Sequence, residues 1–140
     1  MPFRELAFSN EDVYKCVIVH EPAIVDDVRK IGESFEKDVN REFFYTKSYP
    51  RGLEIVNSNA SKGKTALNLK EYLTVRENIK YKLFAIGDYN NDIDLITFAD
   101  YGAAPANALD DVKKAAKIHT VSCGDGAVAD LIRIIEKEYL

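Results

Sequence analysis

From about residue 57 to the end of the chain, helix-period and strand-like segments alternate without a break. The order is loop, helix, strand, helix, strand, helix, strand, helix. Strands joined through helices cannot pair as tight hairpins, so this rhythm dictates a parallel sheet with helices packed on it. The most constraining segment is 81–86, Tyr-Lys-Leu-Phe-Ala-Ile, an apolar run that stops abruptly at Gly87-Asp88. Such a run reads as a buried parallel strand, and it delivers an aspartate at its C-terminal end. Ligands in open parallel sheets bind at that end. Ser61 can cap the preceding helix, with Ala66, Leu69 and Leu73 along its inner face. A short helix over 91–98, a strand over 101–104, a helix over 109–116 and a strand over 118–122 follow. The spacing predicts a last helix over 125–138, with Val128, Leu131, Ile132 and Ile135 on one face.

The first 56 residues have another rhythm: strand, helix, strand, strand. Residues 14–20 are rich in β-branched side chains and end at Glu21-Pro22, a strand followed by a helix start. Ile24, Val28, Ile31 and Phe35 recur at helical steps and predict one apolar face. A strand over 41–48, a turn at Tyr49-Pro50-Arg51-Gly52 and a strand over 53–56 complete the segment. The chain is therefore expected to be an α/β protein in two parts. Residues 1–56 belong to an α+β unit and residues 57–140 to a parallel α/β core.

Composition removes several classes of function. Acidic residues outnumber basic ones 23 to 19, giving a formal charge of −4. An acidic surface argues against nucleic-acid binding, which needs a basic face to displace counterions. No apolar run approaches the roughly 20 residues that span a bilayer, so no membrane partner is expected. The first dozen residues carry no hydrophobic signal core, and the expected location is cytoplasmic. Cys16 and Cys123 are far apart, and neither has His20 or His119 at ligand spacing, which argues against zinc. Cys16 lies in an apolar run and is expected to be a buried free thiol.

Two clusters could carry chemistry. Gly87-Asp88-Tyr89-Asn90-Asn91-Asp92 places two carboxylates four residues apart where a strand turns into a helix. Asp88 and Asp92 could converge on one cation, and an oxygen-only acidic pair suits Mg²⁺. Equally, Asp88 suits a turn and Asp92 the first turn of a helix with no metal at all. Ser61-Lys62-Gly63-Lys64-Thr65 opens a helix, where a lysine could neutralise a phosphate held by free backbone N–H groups. Gly63-Lys64-Thr65 also matches the end of a P-loop, but Ser58 stands where its first glycine belongs. A solvated basic helix start is the plainer alternative.

Taken in order, Leu53-Glu54-Ile55, Ser61-Lys62-Gly63, Gly87 to Ile93, Pro105-Ala106-Asn107-Ala108, Val112-Lys113 and Asp125-Gly126-Ala127-Val128 form one pattern. It resembles the C-terminal half of a haloacid dehalogenase (HAD) superfamily phosphatase of the Cof-type, class IIB branch. Members of that branch hydrolyse sugar phosphates and related small phosphomonoesters. The resemblance implies a Rossmann-like core sheet preceded by part of a mobile cap, with the cap ending near residue 56. It implies that Lys62 stabilises charge on a phosphoaspartyl intermediate. It further implies that Asp88 ligates Mg²⁺, that Asp92 holds the metal through water and that Asn91 contacts phosphate. A small phosphorylated metabolite is the implied partner.

The same resemblance exposes a gap. The family opens with a strand ending in DxDGT, whose first aspartate is the nucleophile. Asp92-Ile93-Asp94 is the only D-x-D here, and it begins a helix with Leu95 in place of the glycine. No Ser or Thr stands in the context of the family's second motif. Without the nucleophile strand, the strand near Leu83–Ile86 is left at a sheet edge, which invites self-association or pairing with a complementing chain. Two expectations follow. Either the sequence is the C-terminal portion of a phosphatase and inactive without a nucleophile strand, or it is a noncatalytic module that binds metal, phosphate or a partner.

Overall fold

A computed structural model of the chain describes residues 12–39 and 42–139, with side chains for all of these except 37–39. Two three-stranded sheets organise them. Arg41, assigned to a strand from the sequence, lies outside the described residues.

The first sheet is antiparallel. Strands β1 (Lys15–Val19), β2 (Phe43–Tyr49) and β3 (Gly52–Asn57) lie in the order β1-β3-β2, with β3 central. Helix α1 (Pro22–Val39) connects β1 to β2. Pro22 opens it, where its missing N–H costs nothing. Cys16 pairs with Ile55, Ile18 with Leu53 and Tyr45 with Ile55, so these side chains share a sheet face. Tyr45 packs against Gly32, which places α1 over that face. Lys15, Val17, Thr46, Glu54 and Val56 therefore point the other way.

The apolar face expected for α1 is displaced. Val25 is fully buried, whereas Ile31 is 69% and Phe35 60% exposed, and Ile24 is exposed as well. The helix meets the sheet at Gly32 and buries Val25, so only one flank of the wide apolar stripe is used. Cys16, expected to be buried, is half-buried.

The second sheet is parallel. It consists of β4 (Phe84–Ile86), β5 (Tyr101–Pro105) and β6 (Ile118–Thr120), in that order. Helices α2 (Lys62–Glu77), α3 (Ile93–Phe98), α4 (Asp110–Ala115) and α5 (Ala127–Glu138) alternate with the strands. The central strand carries Gly102-Ala103-Ala104, small residues that let helices approach from both sides. Ala104 packs with Ile96 of α3, Ala108 and Val112 of α4 on one face. Ala103 packs with Ile118 and with Leu131 of α5 on the other. Each large apolar side chain buried here contributes about 1.5–3 kcal/mol. The mixed α/β fold expected from the alternation is the one observed.

Several boundaries move. The strand expected over 81–86 joins the ladder only at Phe84–Ile86. Asp100 explains this, because its carboxylate takes the Leu83 N–H at 2.8 Å and stands in for a strand partner. The helix expected over 91–98 starts with a 3₁₀ turn at Asn90–Asp92 before α3. The last helix begins at Ala127, after a 3₁₀ turn at Cys123–Asp125 and a left-handed Gly126. Its buried residues are Ala127 and Leu131, while Val128 and Ile132 are exposed. Leu69 of α2, expected to face inward, is also exposed.

Candidate functional site

The site lies at the C-terminal end of β4. Ile86 is the last ladder residue, and the Gly87 N–H still reaches the Ala103 carbonyl at 3.2 Å. The chain then turns over Asp92. A Cβ on Gly87 would stand 2.2 Å from the Asp92 Cβ, so no other residue fits there without displacing the carboxylate. Asp92 Oδ2 accepts the Asp88 N–H at 3.1 Å and the Tyr89 N–H at 3.4 Å. The Asp88 carbonyl accepts the Leu109 N–H at 3.1 Å. The loop bearing both aspartates is thus held from within and from the approach to α4.

Lys62 arrives from the other side. Ser61 is the N-cap of α2, its hydroxyl accepting the Lys64 N–H at 3.3 Å. The next residue, Lys62, extends its ammonium to Asp92 Oδ1 at 2.6 Å. Asp92 is the shielded member of this pair, 11% exposed against 51% for the Lys62 side chain. A short charge-assisted bond of this kind fixes geometry when one partner is already held by backbone amides. The lysine keeps its remaining N–H donors for an anion.

Two hollows flank the pair. Asp88 and Asp92 line one of about 340 Å³, together with Cys123, Gly126 and Ala127. Lys62 and Asn91 line another of about 210 Å³, together with Lys15, Thr46 and Glu54 from the first sheet. All four residues singled out in the sequence therefore meet in one region, with the Lys62–Asp92 contact as the bridge between its halves. Glu54 is paired with Lys15 at 2.5 Å and bonded by the Ser48 hydroxyl. The Lys15 ammonium, then the Ser48 hydroxyl, hold its carboxyl below the usual glutamate range.

The donor set suits a hard cation in part. Asp88 and Asp92 offer oxygen only, which fits Mg²⁺. Among the described residues no three His, Cys, Asp or Glu side chains form a metal-binding group. For a cation the pair would be a partial shell, with water, phosphate or another segment needed to complete it. The magnesium ion keeps several waters in most protein sites, so two carboxylates are compatible with it.

Sequence reasoning missed two residues. Asp94 reads as the tail of an unsuitable D-x-D, yet its carboxylate accepts the Gly63 N–H at 2.9 Å. Asn107 braces the rim, its side-chain oxygen accepting from the Cys123 N–H at 2.8 Å and the Ser122 hydroxyl at 3.1 Å. Its position two residues beyond Pro105, at a strand end, was the available signal.

Comparison with known proteins agrees with the fold. The family model for haloacid dehalogenase-like hydrolases matches residues 4–132. YxeH of Bacillus subtilis strain 168, named as a candidate phosphatase, is 30% identical over 125 residues, covering 87% of this chain and 45% of that protein. A haloacid dehalogenase-like hydrolase from Bacteroides thetaiotaomicron is 32% identical with a TM-score of 0.62, covering 93% of this chain and 47% of that one. A candidate HAD/COF-like hydrolase from Plasmodium vivax is 25% identical with a TM-score of 0.70, covering 96% and 45%. The chain belongs to the haloacid dehalogenase-like hydrolases. Its fold is that of the family's phosphatases. The chain spans about half the length of the curated relatives it matches.

Proposed function

We propose that this chain carries the metal- and phosphate-handling half of a Mg²⁺-dependent phosphomonoester hydrolase acting on small metabolites of the sugar-phosphate kind. The observation that supports it most is the 2.6 Å contact between Lys62 and Asp92, which joins the start of α2 to the acidic loop after β4. Phosphoryl transfer asks a protein mainly for positioning and charge neutralisation. Asp88 would hold the cation directly and Asp92 through water, because both Asp92 oxygens are engaged by protein donors. Magnesium, when bound, neutralises charge on the phosphoryl oxygens. Lys62 has ammonium protons left for the same oxygens, and Asn91 offers an amide beside it.

In this reading residues 1–56 form the C-terminal part of a cap and residues 57–140 the C-terminal part of the core. The nucleophile comes from a strand bearing an aspartate, because no DxDGT sequence occurs in the 140 residues. That strand pairs with the open edge of β4 near Leu83–Ile86, or the edge takes a second copy of the chain. The compartment is the cytoplasm, where the free thiols of Cys16 and Cys123 stay reduced.

A Mg²⁺ titration followed by amide NMR tests the half-site. Shifts confined to residues 87–92 and the start of α2 are expected. Asp88→Asn should weaken binding about 10-fold or more. A chain whose loop amides ignore millimolar Mg²⁺ would count against the assignment.

A further inference from the structure

We infer that Asp94 is a positioning residue for Lys62, acting through the backbone of Gly63. Two ties join the start of α2 to the start of α3. One is the side-chain bond from the Lys62 ammonium to Asp92 Oδ1 at 2.6 Å. The other runs from the Gly63 N–H to Asp94 Oδ2 at 2.9 Å, while Asp94 Oδ1 accepts the Leu95 N–H at 2.8 Å. The Asp94 carboxylate thus spans two helix starts at once. It satisfies an N–H of α2 that has no partner within its own helix, and it places negative charge at that helix's positive end.

Contact between the backbones fixes the register of the two helices. A Cβ on Gly63 would stand 2.5 Å from the Asp94 carbonyl oxygen and 2.6 Å from Phe98 Cδ2. Helix α2 can approach this closely only at a glycine, and Asp94 marks where along α3 it stops. Lys62 is the residue immediately before, so its ammonium inherits the position that the Gly63–Asp94 bond sets. Asp94 lines neither the hollow of Asp88 and Asp92 nor that of Lys62 and Asn91.

The inference rests on reading Lys62 as the charge-stabilising lysine. Its test reads where the Lys62 ammonium sits and not hydrolysis, so the two can fail separately. Trace acylation of the folded chain, read by mass spectrometry, compares Lys62 with Lys70, which is paired with Asp100 at 2.6 Å and serves as internal reference. Asp94→Ala should raise Lys62 acylation relative to Lys70 by about threefold, the scale of one lost hydrogen bond. Asp94→Asn keeps an acceptor oxygen for Gly63 and should restore the native ratio. An unchanged ratio in Asp94→Ala overturns the inference, as does a parallel rise at both lysines or failure of Asn to rescue. Should Asp94→Ala not fold, hydrogen exchange on the unaltered chain decides. The Gly63 amide is expected to be protected about 10-fold or more, and exchange at its free rate overturns the tie.

Discussion

A single methyl group at Gly87 probes the site most sharply. The glycine precedes Asp88, and its missing Cβ leaves the space that the Asp92 side chain occupies. Gly87→Ala should push Asp92 off the amides of Asp88 and Tyr89 and loosen its bond to Lys62. Overpacking of this kind costs about 1–3 kcal/mol, measurable as a lower urea midpoint with unchanged slope. Native stability in that variant would contradict the packing described. Asp88, Asp92 and Lys62 stand out in the sequence because acids at a strand end and a lysine at a helix start are local patterns, whereas Asn91 is singled out only by the family resemblance. Their meeting place is implied by the resemblance and not by the local patterns, because Asp92 and Lys62 are 30 residues apart and only the fold joins them. Asp94 was illegible for the same reason: its partner is the backbone of Gly63, and a backbone N–H carries no sequence signature.

Elements are tied together away from the site by Asp100. It accepts from Lys70 of α2 at 2.6 Å and from the Leu83 N–H just before β4 at 2.8 Å. The Lys70 ammonium, then the Leu83 amide, hold its carboxyl below the ordinary value of 3.8. A carboxyl lowered by folding adds stability that is present above its unfolded pKa and lost as pH falls through the folded one. Acid should therefore weaken the fold from just below pH 4 downward. Asp100→Asn should lower stability near pH 7 by about 1–3 kcal/mol, the scale of bonds to a charged group. It should also flatten the decline in acid, and thermal unfolding from pH 7 to pH 3 reads both. A wild-type acid profile in the variant would remove Asp100 from this role. Element order was legible from hydrophobic period alone. Which flank of each helix is buried was not, since α1 uses Val25 and leaves Ile31 and Phe35 exposed. Period reports a stripe, whereas burial depends on which part of it a partner covers.

On the scale of the whole molecule, the parallel sheet has β4 at one edge among the described residues. Leu69, Tyr72 and Val75 on α2, and Val128 and Ile132 on α5, present exposed apolar surface. Exposed apolar helix surface and an open strand edge each suit further polypeptide better than water. The curated relatives have about twice the length matched here, with YxeH covered over 45%. In the function proposed, this chain supplies the metal and lysine side of a phosphatase whose nucleophile comes from another segment. The most direct measurement is Mg²⁺-dependent hydrolysis of an aryl phosphate by the chain alone and after mixing with the part of YxeH outside the match. No hydrolysis by the chain alone is expected beyond that of Asp88→Asn or Lys62→Ala. Hydrolysis is expected in the mixture, and either substitution should abolish it. Hydrolysis by the chain alone, lost in both variants, would contradict the function proposed by revealing a nucleophile within these 140 residues.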